Sequence, residues 1–366
     1  MMGSVHEYST VHGLRHLVRY RKPDGTHASR RGFHSGADAT EYLAFIEASI
    51  ARGTYADPMC ARVTVGDLAP AWLRFQDAVL KPSSTHSLRS AWRVHVEPSW
   101  SHTRLTDITH SDVRDWVAGL AGSHGATTVI RAHGVLSAIL DVAVRDRRLT
   151  DNPARGIRMP KKSPQRRAYL THAQVDLLTR HARHPGLVLL LAYTGLRWGE
   201  ATAMRVRDVD TDRRRLHVQE VAVTVNGRIH VGSPKTHRAR SVTYPEFLTP
   251  SLEDAAAGKS SSGLLFGTGD HHLALPNSRD GWFAGAVRRA QATDPDFPRV
   301  TPHDLRHTTA ALAIRAGANV KAVQRMLGHA SAVMTLDTYG HLFDDDLDNV
   351  AGAMHNARTA YNQGQD

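Results

Sequence analysis

Residues 302–317 read PHDLRHTTAALAIRAG, and the identity of the C-terminal half of the chain turns on this stretch. A proline in the first helical position followed by an apolar-rich run predicts a helix opening at Pro302. His303 and Arg306 stand three residues apart, so they share one helix face near its positively polarised end. An imidazole and a guanidinium placed there suit a phosphate. His303 and His307 also have the spacing of a zinc-binding helical pair. The metalloprotease pattern, however, needs Glu after the first histidine, and Asp304 occupies that place with no evident third ligand, so no metal is expected.

Further elements line up on either side. Upstream, THAQVDLLTRHAR (171–183) predicts a helix leading into an apolar one, GLVLLLAYTGLRWGEATAM (186–204). That segment places Arg197 after a Thr-Gly turn, with Glu200 three residues on as the carboxylate a half-buried arginine needs. A β-rich stretch spans 213–244, with Asn226-Gly227 as a hairpin turn and SPKTHRARSV carrying Lys235. An Ala/Ser/Gly-rich loop is expected over 252–263, and helices are expected to resume at Asp280. Downstream, LGHAS and LDTYGHL bring His329 and Tyr339 into the last helical region.

Taken together and in this order, these elements resemble the tyrosine recombinase, or phage integrase, family. TGLRWGE is similar to the family's first arginine box, HDLRH to its second, LGH to its third position and TYGHL to its nucleophile box, while Lys235 stands where the family has its hairpin lysine. The resemblance covers nearly all of residues 168–345. It implies a DNA strand transferase whose catalytic set is Arg197, Lys235, His303, Arg306, His329 and Tyr339. Tyr339 would attack phosphorus and form a 3′-phosphotyrosine, with Arg197 and Arg306 clamping the phosphate. Lys235 would protonate the departing 5′ oxygen, His303 would assist proton transfer at Tyr339, His329 would bond the phosphate, and Glu200 would support from behind. His307 and His341 read as structural flanks. The ester conserves bond energy, so no cofactor, ATP or metal is expected.

Composition agrees with a DNA partner. The 366 residues carry 46 Lys and Arg against 35 Asp and Glu, a formal charge of +11, which favours a polyanion. The single cysteine, Cys60, excludes an intramolecular disulfide framework and a cysteine-based zinc site. MMGSVHEYST has no apolar core of the signal-peptide kind, and the run 187–193 is too short to span a bilayer. The expected setting is therefore a bacterial cytoplasm, associated with the nucleoid, without a membrane.

The expected fold class is α+β and mostly helical, in three parts. Residues 1–62 are expected to form a three-stranded sheet on one helix (37–53), whose apolar positions are Tyr42, Phe45, Ile46 and Ile50. Arg15, Arg19, Arg21, Lys22, Arg30 and Arg31 would make a basic strand face for DNA. Residues 63–160 read as nearly all helix, with Thr64 and Thr109 or Ser111 as caps, Ser83–Thr85 preceding one helix, Thr127–Thr128 opening another and Asn152-Pro153 ending it. Residues 161–366 form the catalytic part, entered through a basic, proline-broken linker containing Lys161 and Lys162. The upstream parts look like the family's core-binding and arm-binding modules, which implies integration and excision of a phage or mobile element by a homotetramer on core and arm sites. A directionality factor and a host DNA-bending protein are possible partners. The rival expectations are type IB topoisomerase-like relaxation and a catalytically silent DNA-binding regulator. The tail 344–361 is expected either to dock on a neighbouring subunit or to pack on its own chain.

Overall fold

The structure is a computed structural model that describes the chain except residues 1–2, 54, 56, 58–61, 164–167, 233–239, 270, 343–345 and 364–366, and the side chains of 346–350 and 353. The chain divides into two compact units, Met1–Pro164 and Gln165–Asp366.

The first unit opens with an antiparallel sheet of β1 (Gly3–Thr10), β2 (Gly13–Arg21) and β3 (His27–Phe33), backed by α1 (Gly36–Ala51). Alternation along β2 sends Val18 and Tyr20 into a small core with Ala39, Ile46 and Tyr55. On α1 it is Leu43, with Tyr42 and Ile50, that flanks Ile46, whereas the expected core residue Phe45 is 63% exposed. The expected apolar face of the helix is thus rotated by part of a turn.

A second core in this unit is built mainly by helices: α2 (Val65–Val79), α3 (Pro82–Ala91), α4 (Glu97–Trp100), α5 (His110–Ser123) and α6 (Ala126–Arg145). Thr64 with Asp67, and Thr109 with Asp112, form reciprocal capping boxes at α2 and α5, each stabilising by about 1 kcal/mol. Two expected boundaries shift. Helix α3 starts at Pro82, whose missing N–H costs nothing in the first turn, so Ser83–Thr85 lie inside it. Helix α6 stops at Arg145, and Arg147 takes a positive φ of 58°. Asn152 does not end α6 but ties the returning chain to it, donating to the Ser137 carbonyl at 2.9 Å and to Asp141 at 2.6 Å. By length and composition α6 is apolar enough to cross a bilayer, yet eight of its residues are buried, six of them in this helical core.

The second unit is built around α8 (Pro185–Thr194). Its Leu187, Leu190 and Leu191 are buried among α7 (His172–His181), α11 (Trp282–Thr293) and a three-stranded antiparallel sheet. That sheet runs β4 (Val209–Asp210), β5 (Arg215–Val218), β8 (Arg240–Thr243), with the hairpin β6 (Val221–Val225)–β7 (Arg228–Gly232) between β5 and β8 in sequence. Asn226 and Gly227 both have positive φ, the turn that the Asn-Gly pair anticipated. The long apolar segment is two helices rather than one, α8 and α9 (Trp198–Ala203), broken at Gly195. The expected loop over 252–263 begins as helix α10 (Thr249–Ala256), held by buried Leu252. A short pair of strands, β9 (Gly267–Thr268) and β10 (His271–His272), precedes α11. Helices α12 (Pro302–Arg315), α13 (Val320–Leu327) and α14 (Ala332–Tyr339) then pack around Ala310, Ile314, Val323, Leu327 and Tyr339. The described side chains of the last helix, α15 (Asp346–Gln363), are all exposed.

Candidate active site

The site begins where α8 stops. Gly195 caps that helix at φ 65°, a conformation side chains rarely adopt, and a Cβ there would lie 2.6 Å from a Leu327 methyl, which would have to shift. The turn delivers Arg197 as the residue capping α9. Its backbone N–H donates to Glu200 Oε2 at 2.9 Å, and its Nη1 donates to Oε1 at 3.0 Å. Arg240, from β8, holds the same carboxylate through two parallel bonds of 2.9 and 2.7 Å. Burial raises the Glu200 carboxyl, but Arg240 and Arg197 outweigh it and hold the group below the usual carboxylate range. Arg240 is a residue the sequence reading missed. Its signal was present in the basic run before β8, but nothing in that run showed which arginine turns inward.

Arg306 supplies the other side. Thr301 and Asp304 form a capping box at the start of α12, so Asp304 has a helix-end role. Arg306 is 4% exposed, and among the described residues it has no carboxylate partner. Its Nη1 donates to the Gly195 carbonyl and its Nη2 to the Leu327 carbonyl, both at 2.5 Å. These oxygens lie at the C-terminal ends of α8 and α13, where the helix dipoles are negative. Gly195 precedes Arg197 by two residues and Leu327 precedes His329 by two, so one guanidinium laces together the two turns that carry other candidate residues. Burial, with the Arg197 charge second, lowers Arg306 to about 10, which leaves it cationic at neutral pH. Among the described residues two guanidiniums therefore share one carboxylate and the third sits on backbone carbonyls, a surplus of positive charge that suits an anion.

His329 follows Gly328, the left-handed cap of α13, against whose Cα the Arg240 side chain packs: a Cβ there would sit 2.8 Å from Nε. Gln324 holds His329 from both sides, accepting its N–H at 3.1 Å and donating Nε2 to its carbonyl at 3.0 Å. The ring pairs Nδ1 with Thr335 Oγ1 at 2.9 Å and lies parallel to the Tyr339 ring, with centroids 6.4 Å apart. Burial first, then Arg306, Arg197 and Arg240, push His329 down to about 4, so it is neutral at physiological pH. Tyr339, at the end of α14, is 1% exposed. Its hydroxyl is 2.6 Å from Nδ1 of His307. His307 was expected to be structural and His303 to serve the phenol. The structure instead puts His307 on the hydroxyl, with the His303 ring edge-on behind it at 5.1 Å. On a helix, residue i+4 continues the face of residue i one turn along, and here that extra turn reaches Tyr339. His341 packs beside Tyr169, whose hydroxyl is 3.3 Å from its Nε2.

The remaining expected residues lie elsewhere. Lys235 falls outside the described residues. Lys161 and Lys162 are exposed on an irregular stretch after α6. In the N-terminal sheet, the pairings Leu17 with Arg31 and Arg19 with Ser29 put Arg15, Arg19, Arg21 and Arg31 on the face away from α1. Two of the six do not join that face. Arg30 pairs with Val18 on the helix side and lies 4.6 Å over the Tyr42 ring, while Lys22 is held 2.5 Å from Asp57. Strand alternation excludes Arg30, and the ion pair neutralises Lys22.

Residues 168–345 match the model of the phage integrase family. The chain is 29% identical over 333 residues to a putative prophage phiRv2 integrase of Mycobacterium tuberculosis, covering 86% of this chain and 85% of that one. It is 27% identical over 319 residues to the integrase of Mycobacterium phage L5, covering 82% and 83%. Among solved structures, the Tn1549 transposon integrase in complex with a circular intermediate DNA aligns with a TM-score of 0.68 at 19% identity, over 80% of this chain and 99% of that one. A lambda integrase tetramer bound to a Holliday junction aligns with a TM-score of 0.58 at 17% identity, over 91% and 94%. The arginine-lined site, the tyrosine at its edge, the relatives and the α+β fold lead to one assignment: residues 168–345 form a phage integrase domain, and the chain is a tyrosine-type site-specific recombinase.

Proposed function

We propose that this recombinase integrates and excises a phage or other mobile DNA element, cutting and rejoining DNA through a 3′-phosphotyrosine on Tyr339. One observation carries the reading: Arg306 bonds the backbone of both turns that present Arg197 and His329, next to Tyr339. In the reaction Arg197 and Arg306 hold the non-bridging oxygens of the scissile phosphate, and the Nε2 of His329 bonds the phosphate while its Nδ1 stays on Thr335. The phenolic oxygen bonds to phosphorus as the bond to the 5′ oxygen breaks. Lys235 gives that oxygen its proton, and His303 assists proton transfer at Tyr339. Rejoining is the reverse, and each phosphodiester broken is replaced by a phosphate ester, so bond energy is conserved.

The proposal extends to architecture. Residues 1–62 bind arm sites through Arg15, Arg19, Arg21 and Arg31, residues 63–160 with Lys161 and Lys162 embrace the core site, and residues 161–366 carry the chemistry. The two apolar cores of the first unit support this division. Linking two DNA-binding parts on one chain makes the second binding event intramolecular. Four copies assemble on paired core sites, with α15 of each docking on a neighbour; its exposed Met354 and Tyr361 support that role. A directionality factor and a host DNA-bending protein complete the assembly, which works in the cytoplasm at the nucleoid of a bacterial host.

The test is incubation with a nicked double-stranded substrate that traps the cleaved state. The expected result is a covalent protein–DNA adduct that Tyr339→Phe abolishes, together with recombination between paired sites. An adduct with relaxation but no recombination would indicate a topoisomerase, and no adduct at all would indicate a regulator.

A further inference from the structure

The second histidine of HDLRH has no place in the mechanism above, yet of the two histidines on that face it is the one in contact with the nucleophile. We infer that His307 is a catalytic residue, the group that takes the phenolic proton as Tyr339 attacks phosphorus and returns it when the strand is rejoined. The inference rests on the proposed function, because it requires Tyr339 to be the nucleophile.

The geometry is specific. Tyr339 is buried and its oxygen lies 2.6 Å from His307 Nδ1, the heavy-atom reach a general base needs. His307 sits on the same face of α12 as His303, whose ring meets it edge-on with centroids 5.1 Å apart. His303 is thus placed to orient the imidazole, one ring removed from the phenol. His329 does not compete for the proton, since its Nδ1 is committed to Thr335 and its ring lies parallel to the phenol. Among the described residues, the titratable and charged groups around the pair are His303 and Arg306 on α12, His329 before α14, and Tyr169 with His341, which pack in the same cluster as Tyr339. Arg306 directs Nη1 and Nη2 at the Gly195 and Leu327 carbonyls.

The step balances without any added reactant. The Tyr339 oxygen forms a bond to phosphorus, the bond from phosphorus to the 5′ oxygen breaks, the phenolic proton passes to Nδ1, and the 5′ oxygen receives a different proton from the leaving-group side. His307 becomes an imidazolium beside the new ester. In rejoining, the 5′ hydroxyl attacks phosphorus and gives its proton back to the leaving-group side, the bond from phosphorus to the Tyr339 oxygen breaks, and His307 returns its proton to the departing phenolate.

The decisive variant is His307→Asn, whose side-chain amide keeps a hydrogen-bond partner near the position of Nδ1 but cannot take a proton. Single-turnover cleavage of a nicked duplex by the full chain should fall by ~10²-fold or more and lose its acid limb. A duplex with sulfur in place of the bridging 5′ oxygen needs no acid for its leaving group. It should rescue Lys235→Ala and leave His307→Asn slow. His307→Ala should be accelerated by added imidazole, following the titration of the imidazole. If His307 only clamps a resting tyrosine, His307→Asn cleaves at least as fast as wild type, and the inference is overturned. It is also overturned if the sulfur substrate rescues His307→Asn, if imidazole does nothing for a folded His307→Ala, or if the acid limb disappears with His303→Asn and survives in His307→Asn. Absence of any adduct from the wild-type protein would instead sink the proposed function.

Discussion

Two arginine-rich regions of this molecule use the same side chain in opposite ways. On the N-terminal sheet, Arg19, Arg21 and Arg31 stand in solvent on the face away from α1, with Arg15 half-buried beside them. In the second unit, Arg240 and Arg306 are enclosed, Arg197 is half-enclosed, and their positions are set by one carboxylate and two helix-end carbonyls. An exposed cation attracts any phosphate and is screened by salt. An enclosed cation cannot reorganise, and its attraction acts in a medium of lower dielectric constant. The first arrangement is suited to holding a backbone and the second to stabilising charge that develops on one phosphorus.

The contrast can be broken most directly at Arg306. Arg306→Ala should lower single-turnover cleavage by ~10²–10³-fold, as removal of one preorganised donor does, because it also releases the Gly195 and Leu327 turns. Equal losses from alanine at Arg19 and Arg21 on a substrate lacking arm sites would erase the distinction. Next is Glu200→Gln, which leaves Arg197 and Arg240 without their countercharge; denaturant melts should show a loss of about 3 kcal/mol. A smaller effect is expected from Arg240→Lys, which keeps the charge but not the two parallel bonds; cleavage should fall roughly 10-fold while DNA affinity is retained. Alanine at Arg15, Arg19, Arg21 and Arg31 should leave core cleavage unchanged. It should reduce the slope of log affinity against log salt for arm DNA by about 0.9 for each phosphate that is no longer neutralised. Arg30→Ala should not change that slope, since Arg30 lies over Tyr42 on the other face.

The smallest effect is in the pH dependence of stability. His329 is lowered from 6.5 to about 4, so the unfolded chain binds its proton first as pH falls. Its contribution is complete above pH 6.5 and is lost as pH falls toward 4. Glu200, lowered from 4.5, keeps its contribution above that value and loses it at still lower pH. Melting temperature should therefore decline on acidification from neutrality, and the part of the decline between pH 6.5 and 4 should shrink in His329→Asn.

Much of this was legible in the residue order because it is governed by local rules. Capping boxes at Thr64 and Thr109, the Asn226-Gly227 hairpin, the apolar helix before Arg197 and the pairing of Arg197 with Glu200 each involve residues a few positions apart. Other features were not local. Phe45 has the spacing of a core residue, but the way α1 docks on the sheet brings Leu43 against the core and leaves Phe45 exposed.

By itself, then, the amino-acid sequence determined the α+β, mostly helical character of the chain, its recombinase boxes and its candidate nucleophile. These follow from short-range hydrogen bonding and from side chains whose chemistry travels with their order in the chain. Only the tertiary structure decided that Arg240 shares Glu200, that Arg306 is seated on the ends of two helices, and that His307 rather than His303 meets the phenol. The reason is geometric. Each of these pairings joins residues 21 to 111 positions apart, and which side chain arrives is set by helix rotation and strand register, to which a linear pattern is blind.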